Sequence, residues 1–237
     1  MRFMSQSNPI RCIAFDAVGT LIEPSPSVAS VYHEAGRRYG SRLSPEEVAA
    51  RFHEVFRRSA ETAGDAELTT SEEQERRRWR EIVAAVFDDV CDHEACFAEL
   101  FAHFARPSAW RCYPDVPAAL DALNAQERLL AVASNFDARL SGVCDALPEL
   151  RPIRLRVISS LVGVRKPSIE FYRRLAMMAA LPPHEIVMVG DDLENDILPA
   201  RAAGLHAVRI VRHRPPIGHD EIGDLRELSA WIINKAV

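Results

Sequence analysis

Residues Ile13-Ala14-Phe15-Asp16-Ala17-Val18-Gly19-Thr20-Leu21-Ile22 decide how the rest of the chain is read. The run from Cys12 to Phe15 is short and wholly apolar, the pattern of a buried strand, and a single carboxylate, Asp16, ends it. Gly19 and Thr20 follow at once, a turn signal with a hydroxyl attached. A buried strand that delivers a carboxylate to its C-terminal end, with a permissive loop after it, is where an open α/β sheet gathers ligands. Most such Asp residues only cap the turn, so the weight falls on what the other strand ends carry.

Beyond Ile22 the pattern is helical for about ninety residues, with no strand period and no repeat. Pro24 and Pro26 break the chain, and residues 28–39 then show helical spacing up to Gly40. Ser44-Pro45-Glu46-Glu47 supplies an N-cap, a first-turn proline and acidic residues suited to the helix dipole. Val48, Phe52, Val55 and Phe56 then form one apolar face. After a polar gap around Gly64-Asp65, Thr70-Ser71-Glu72-Glu73 starts a helix through Trp79, Ile82, Val83 and Val86, and residues 93–104 are helical again.

From Tyr113 onward strands and helices alternate. Residues 129–133, 155–158, 185–190 and 206–211 read as strands; 114–126, 136–147, 166–178 and 196–203 read as helices. Residues 225–233 form a last helix docked on the edge. This alternation predicts a parallel sheet of five or more strands covered on both faces. The expected division is a core from 10–23 and 112–237, with 24–111 inserted as a helical unit. Segments 24–27 and 109–114 are the expected hinges.

The composition bounds the function. The chain has 237 residues, 48% hydrophobic and 27% charged, enough for a sizeable core, and a net charge of −5, which gives no support to nucleic-acid binding. The cluster Glu75-Arg76-Arg77-Arg78-Trp79-Arg80 is interleaved with acids and reads as a solvated helix face. No apolar run reaches the ~20 residues of a membrane span, and residues 1–9 read as a loosely attached leader without signal-peptide character. Five cysteines without a CxxC pair read as reduced thiols of a cytoplasmic protein. Cys91, His93 and Cys96 lack the second ligand pair a zinc site needs.

Three strand ends carry polar groups: Asp16, Ser134-Asn135, and Asp191-Asp192 with Asn195 and Asp196 beyond. Lys166 opens a helix in the same half. In a parallel sheet these ends share one edge and meet in one crevice. Close carboxylates repel by roughly 4 kcal/mol per pair at an intermediate dielectric, so the cluster needs counter-charge. Lys166 and a divalent cation would supply it, and an all-oxygen ligand set favours Mg²⁺. The alternative makes Asp191, Asp192 and Asp196 helix caps and Lys166 a surface residue, which requires four separate signals to coincide by accident.

These residues resemble the haloacid dehalogenase-like hydrolase superfamily over nearly the whole chain. Phe15-Asp16-Ala17-Val18-Gly19-Thr20-Leu21 is similar to its first motif, Ala133-Ser134-Asn135 to its second, Arg165-Lys166-Pro167 to its third, and Val189-Gly190-Asp191-Asp192-Leu193-Glu194-Asn195-Asp196 to its fourth. The resemblance implies a Rossmann-like core with an α-helical cap closing over the site, and a small phosphate ester or anhydride as substrate. Asp16 would be the nucleophile that forms an aspartyl-phosphate. Mg²⁺ would be held by Asp16, Asp191 and the Val18 carbonyl, with Asp196 holding a metal-bound water or orienting Lys166. Ser134, the Asn135 backbone amide and Lys166 would grip the phosphoryl oxygens, with Gly19 in the adjoining loop. Thr20 would set the orientation of Asp16.

The sequence departs from the family's phosphatases at Val18, where they carry a second Asp that protonates the leaving group. Such a general acid/base is commonly worth about 10²–10⁴ in rate. The family's dehalogenases also lack that Asp, and Asp16-Ala17-x-Gly19-Thr20 resembles them here, yet they work without metal and have a less acidic fourth motif. A dehalogenase and a non-catalytic phosphoryl- or protein-binding member therefore stand as alternatives. His33, Arg37, Trp79 and Arg80 are candidates for substrate contact from the helical unit.

Overall fold

The computed structural model describes residues 10–61 and 68–235. The expected leader, residues 1–9, and the polar gap around Gly64-Asp65 lie outside the described residues.

The described residues form eight strands and ten α-helices. The first strand, β1 (Cys12–Phe15), is buried at every position. It is followed by β2 (Ile22–Pro24), then α1 (Val28–Arg38), α2 (Pro45–Glu61), α3 (Glu72–Val86) and α4 (His93–His103). The chain returns through β3 (Trp110–Cys112) and α5 (Val116–Asn124) to β4 (Leu129–Ser134), α6 (Arg139–Ala146), β5 (Leu155–Ile158) and α7 (Ser159–Val162). Then come α8 (Ile169–Ala179), β6 (Ile186–Gly190), α9 (Leu198–Ala202), β7 (His206–Ile210), β8 (Glu221–Ile222) and α10 (Leu228–Lys235).

Six strands form one sheet in the order β5-β4-β1-β6-β7-β8, parallel at every pairing. Both faces of its central strands β1, β4 and β6 are apolar, which is why those runs lack polar alternation. One face buries Ile13, Phe15, Leu130, Val132, Val187 and Val189 against Leu120 of α5 and Leu140 and Val143 of α6. The other buries Cys12, Ala14, Ala131, Ala133 and Met188 against Phe171, Tyr172 and Leu175 of α8. Because β1 pairs with β4 on one side and β6 on the other, the strand order reverses at β1, the position where such sheets bind ligands.

Helices α1–α4 pack around a separate apolar cluster that includes Tyr32, Val48, Ile82, Val83, Phe87 and Phe97. Burying each such large side chain is worth about 1.5–3 kcal/mol. Ser44 and Glu47 form a capping box at the start of α2: Ser44 N–H donates to Glu47 Oε2 at 2.8 Å and Glu47 N–H to Ser44 Oγ at 3.2 Å. Gly36 is required where α1 meets the Phe87 ring, because a Cβ there would lie 2.5 Å from it. Two chain crossings, paired as the antiparallel β2–β3 ladder from Ile22↔Cys112 to Pro24↔Trp110, join this block to the sheet.

Four elements differ from the sequence reading. Strand β8 and helix α7 are too short to show periodicity. The helix expected from residue 166 starts at Ile169, capped by Ser168, because Lys166 turns inward. The helix expected from Asp196 begins earlier, as a π-helical turn over Leu193–Ile197. There the Asp192 carboxylate accepts from Glu194 N–H and Asn195 N–H, and Asp196 is drawn against Gly190.

Candidate active site

The C-terminal ends of β1, β4 and β6 open side by side onto one crevice. Asp16, the residue after β1, anchors its backbone by donating to the Val189 carbonyl at 2.8 Å. Lys166 crosses beneath it: its Nζ donates to Asp16 Oδ1 at 2.7 Å, Asp196 Oδ1 at 2.5 Å and the Ala133 carbonyl at 3.1 Å. These three acceptors use all three ammonium hydrogens. A lysine buried to 3% exposure is held there by Asn135, whose side chain accepts from Lys166 N–H at 2.8 Å and donates to Lys166 C=O at 2.9 Å. Burial works against the Lys166 charge, but Asp16 and Asp196 outweigh it and hold its pKa above the ordinary lysine value.

Asp191 follows β6 directly. Its carboxyl is pushed up to about 6, first by burial and then by the Asp16 charge. Burial likewise pushes the Asp196 carboxyl up, against the pull of Lys166. Two glycines let the backbone come this close. A Cβ on Gly19 would lie 2.5 Å from Asp191 Oδ2, and the Gly19 φ of +91° is itself unfavourable for other residues. A Cβ on Gly190 would lie 2.2 Å from Asp196 Oδ2. Thr20 donates to Asp191 Oδ1 at 3.4 Å; the sequence reading gave it Asp16 as partner, and the turn at Gly19 instead delivers its hydroxyl to the acid on the neighbouring strand.

Asp16, Asp191 and Asp196 each offer an oxygen, all within 4.8 Å of one another, and among the described residues they are the group so placed to hold a metal. The donor set is all carboxylate and one lysine meets only two of the three acids, so a hard divalent cation fits its chemistry. Cys91 is exposed while Cys96 is buried, and all five cysteines are free.

Above these acids lies a cavity of about 790 Å³, which also reaches Val18, Ser134 and Asn135. Its upper wall is aromatic, with Tyr32, Phe52, Phe56, Trp79, Phe101 and Phe136. Of the four residues put forward from the helical block, Trp79 lines this cavity. His33, Arg37 and Arg80 lie elsewhere, Arg80 forming a surface pair with Glu94 at 2.8 Å. The solvated face expected for 75–80 holds for Arg77, which pairs with Glu81. It fails for Glu75, which is buried, and for Arg78, which turns into the cavity. The signal was in the spacing: Glu75, Arg78, Trp79 and Ile82 fall at i, i+3, i+4 and i+7 on one helix face.

Residues 10–204 match the family model described as haloacid dehalogenase-like hydrolase. The chain belongs to that family and is a hydrolase. It is 26% identical, over 87% of its length and 86% of the relative's, to haloacid dehalogenase-like hydrolase domain-containing protein 3 of Xenopus laevis. A phosphoserine phosphatase of Thermus thermophilus is also 26% identical, over 92% of this chain and 98% of that one. Among solved structures, the defluorinating L-2-haloacid dehalogenase Rha0230 aligns with a TM-score of 0.76 at 20% identity, covering 98% of this chain and 100% of its own, a likeness of fold.

Proposed function

We propose that the protein is a Mg²⁺-dependent phosphohydrolase acting on a small phosphate ester or anhydride through a phosphoryl-Asp16 intermediate. The observation that carries this reading is Asp16 itself, held by Lys166 on one oxygen and flanked by Asp191 and Asp196. Lys166 occupies Oδ1, which leaves Oδ2 to attack phosphorus. The new Oδ–P bond forms as the bond to the leaving oxygen breaks, and the freed oxyanion departs with its electron pair. Water then attacks phosphorus, the P–Oδ bond breaks, and inorganic phosphate and the Asp16 carboxylate are released. Lys166 and the Ser134 hydroxyl bind the phosphoryl oxygens, with the Asn135 backbone amide beside them. Asp196 and the Asn135 side chain position Lys166. Asp16, Asp191 and the Val18 carbonyl would hold Mg²⁺, which when bound would neutralise charge on the transferring oxygens.

Val18 supplies no proton, so the leaving group must depart unassisted or take its proton from water. Residues 24–111 act as a cap over the core of 10–23 and 112–237. Supporting this, Arg165 N–H donates to Leu68 C=O at 2.9 Å, Thr70 N–H to Gly163 C=O at 3.2 Å and Ala138 N–H to Glu72 Oε1 at 2.9 Å, contacts that hold this block against the core at the cavity's edge. Free cysteines support a reducing, cytoplasmic setting.

Val18 favours a second reading, dehalogenation, in which a halide leaves without a proton. Against it, Asp191 and Asp196 would set two further carboxylates against an incoming carboxylate substrate. Hydrolysis of p-nitrophenyl phosphate tests the first reading: turnover should require Mg²⁺, stop in excess EDTA and vanish in Asp16→Asn. Chloride release from 2-chloropropionate without phosphate release would establish the second. Silence in both would leave a binding role.

A further inference from the structure

The upper wall of the cavity carries charge that phosphoryl transfer at Asp16 does not use. Arg78 of α3 and Arg165 of the loop before Lys166 both line it. The Thr69↔Val164 bridge and the Arg165 N–H to Leu68 C=O bond bring their two segments together. The other arginines of the wall are matched. Arg139 is bidentate to buried Asp137 at 2.7 and 2.6 Å, and Arg57 bonds Glu54 at 2.9 Å.

Arg78 and Arg165 are not matched in this way. Arg78 donates to Ser59 Oγ at 3.1 Å, while its ion pair is long, with Glu75 Oε2 at 3.5 Å and Glu75 Oε1 turned to accept from the Thr70 hydroxyl at 2.8 Å. The buried Arg78 Nε has no hydrogen-bond partner. Burial, and then the nearby Arg165 charge, draws the Arg78 pKa down to about 10. Among the described residues the Arg165 guanidinium has no hydrogen-bonding or ion-pairing side chain. Two guanidinium groups thus line one aromatic cavity, with a single carboxylate, Glu75, set against Arg78 and none against Arg165. Unpaired N–H groups and uncompensated charge in such a place are costly unless a ligand completes them.

We propose that Arg78 and Arg165 form a second oxyanion subsite, so that the substrate is a phosphomonoester whose aromatic or apolar body carries a carboxylate or second phosphate at the end remote from the reacting phosphoryl group. The body lies along Phe52, Phe56, Trp79 and Phe136, between the two charged ends. Guanidinium forks recognise either oxyanion bidentately. This inference rests on the phosphohydrolase reading of Asp16, and its test separates the two.

In the full-length Asp16→Asn protein with Mg²⁺, calorimetry would compare phenyl phosphate, 4-carboxyphenyl phosphate and 1,4-phenylene bisphosphate. At least one doubly anionic probe is expected to bind ~10-fold or more tightly than phenyl phosphate, and which one does identifies the second oxyanion. Adding Arg165→Gln should bring that ratio to within about twofold of unity. Arg165 is only half-buried and outside every core cluster, so this substitution keeps the test independent of folding. Equal affinities for all three probes, or a preference that survives Arg165→Gln, would overturn the proposal. Phenyl phosphate turnover by the wild-type protein is measured in parallel. If turnover is absent while the preference holds, the phosphohydrolase reading falls and the subsite stands.

Discussion

Lys166 Nζ lies 2.5 Å from Asp196 Oδ1, with both side chains only 2% exposed, and the same ammonium reaches Asp16 Oδ1 at 2.7 Å. The lysine is therefore the counter-charge on which a buried acidic cluster depends. Replacing it by Met leaves Asp16, Asp191 and Asp196 facing one another without a cation, and breaking a buried pair from one side costs about 3–5 kcal/mol. Urea unfolding of Lys166→Met in EDTA should show a loss of that order, partly recovered in Mg²⁺. A change below about 1 kcal/mol would mean the pair is not structural.

Mg²⁺ should stabilise the folded protein. A ligand present at a hundred times its dissociation constant contributes about 2.7 kcal/mol, seen as a rise in Tm. Asp191→Asn should abolish that rise. Its effect without metal has a definite sign: the Asp191 carboxyl sits at about 6, above its ordinary value, so its contribution is full at pH below about 4 and is lost as pH rises through 6. At pH 8 in EDTA the variant should be no less stable than wild type.

Val18→Asp places a carboxyl two residues after the nucleophile, on the cavity wall. If proton supply limits turnover, the substitution should accelerate an alkyl phosphate by about 10²–10⁴ and p-nitrophenyl phosphate far less, since the aryl oxyanion leaves readily on its own. Equal acceleration of both would remove that role from position 18.

Thiol chemistry should divide the cysteines. Burial pushes Cys12 and Cys112 up to about 12 and Cys96 and Cys144 to about 11, whereas Cys91 is exposed. Native protein at pH 8 should therefore release one equivalent promptly with a disulfide reagent, from Cys91. The raised thiols also fix an alkaline limit: their contribution to stability is intact below about pH 9 and is lost as pH rises through 11–12, so Tm should fall over that range.

How far the sequence could be read follows from where its periodicity is strong. Strands β1, β4 and β6 and the polar residues that follow them were legible because strands buried on both faces are nearly uninterrupted apolar runs, and the polar residue that ends each is conspicuous. Lys166 was placed among the acids by their need for counter-charge, but what holds it at that depth was not legible. A lysine before a proline resembles a surface helix start, and the Asn135 clamp that pulls it inward comes from thirty-one residues away. Thr20 found Asp191 rather than Asp16 for a similar reason, since β1–β6 adjacency is set by sheet order. Glu75 and Arg78 were hidden in a charge run whose two helix faces differ, and only the face shared with Trp79 meets the cavity.

The most direct measurement is mass spectrometry of acid-quenched protein after mixing with acetyl phosphate and Mg²⁺. A phosphate adduct confined to the peptide that contains Asp16, and absent in Asp16→Asn, is the expected result. An unmodified Asp16 peptide, with an ester adduct there after 2-chloropropionate instead, would contradict phosphoryl transfer.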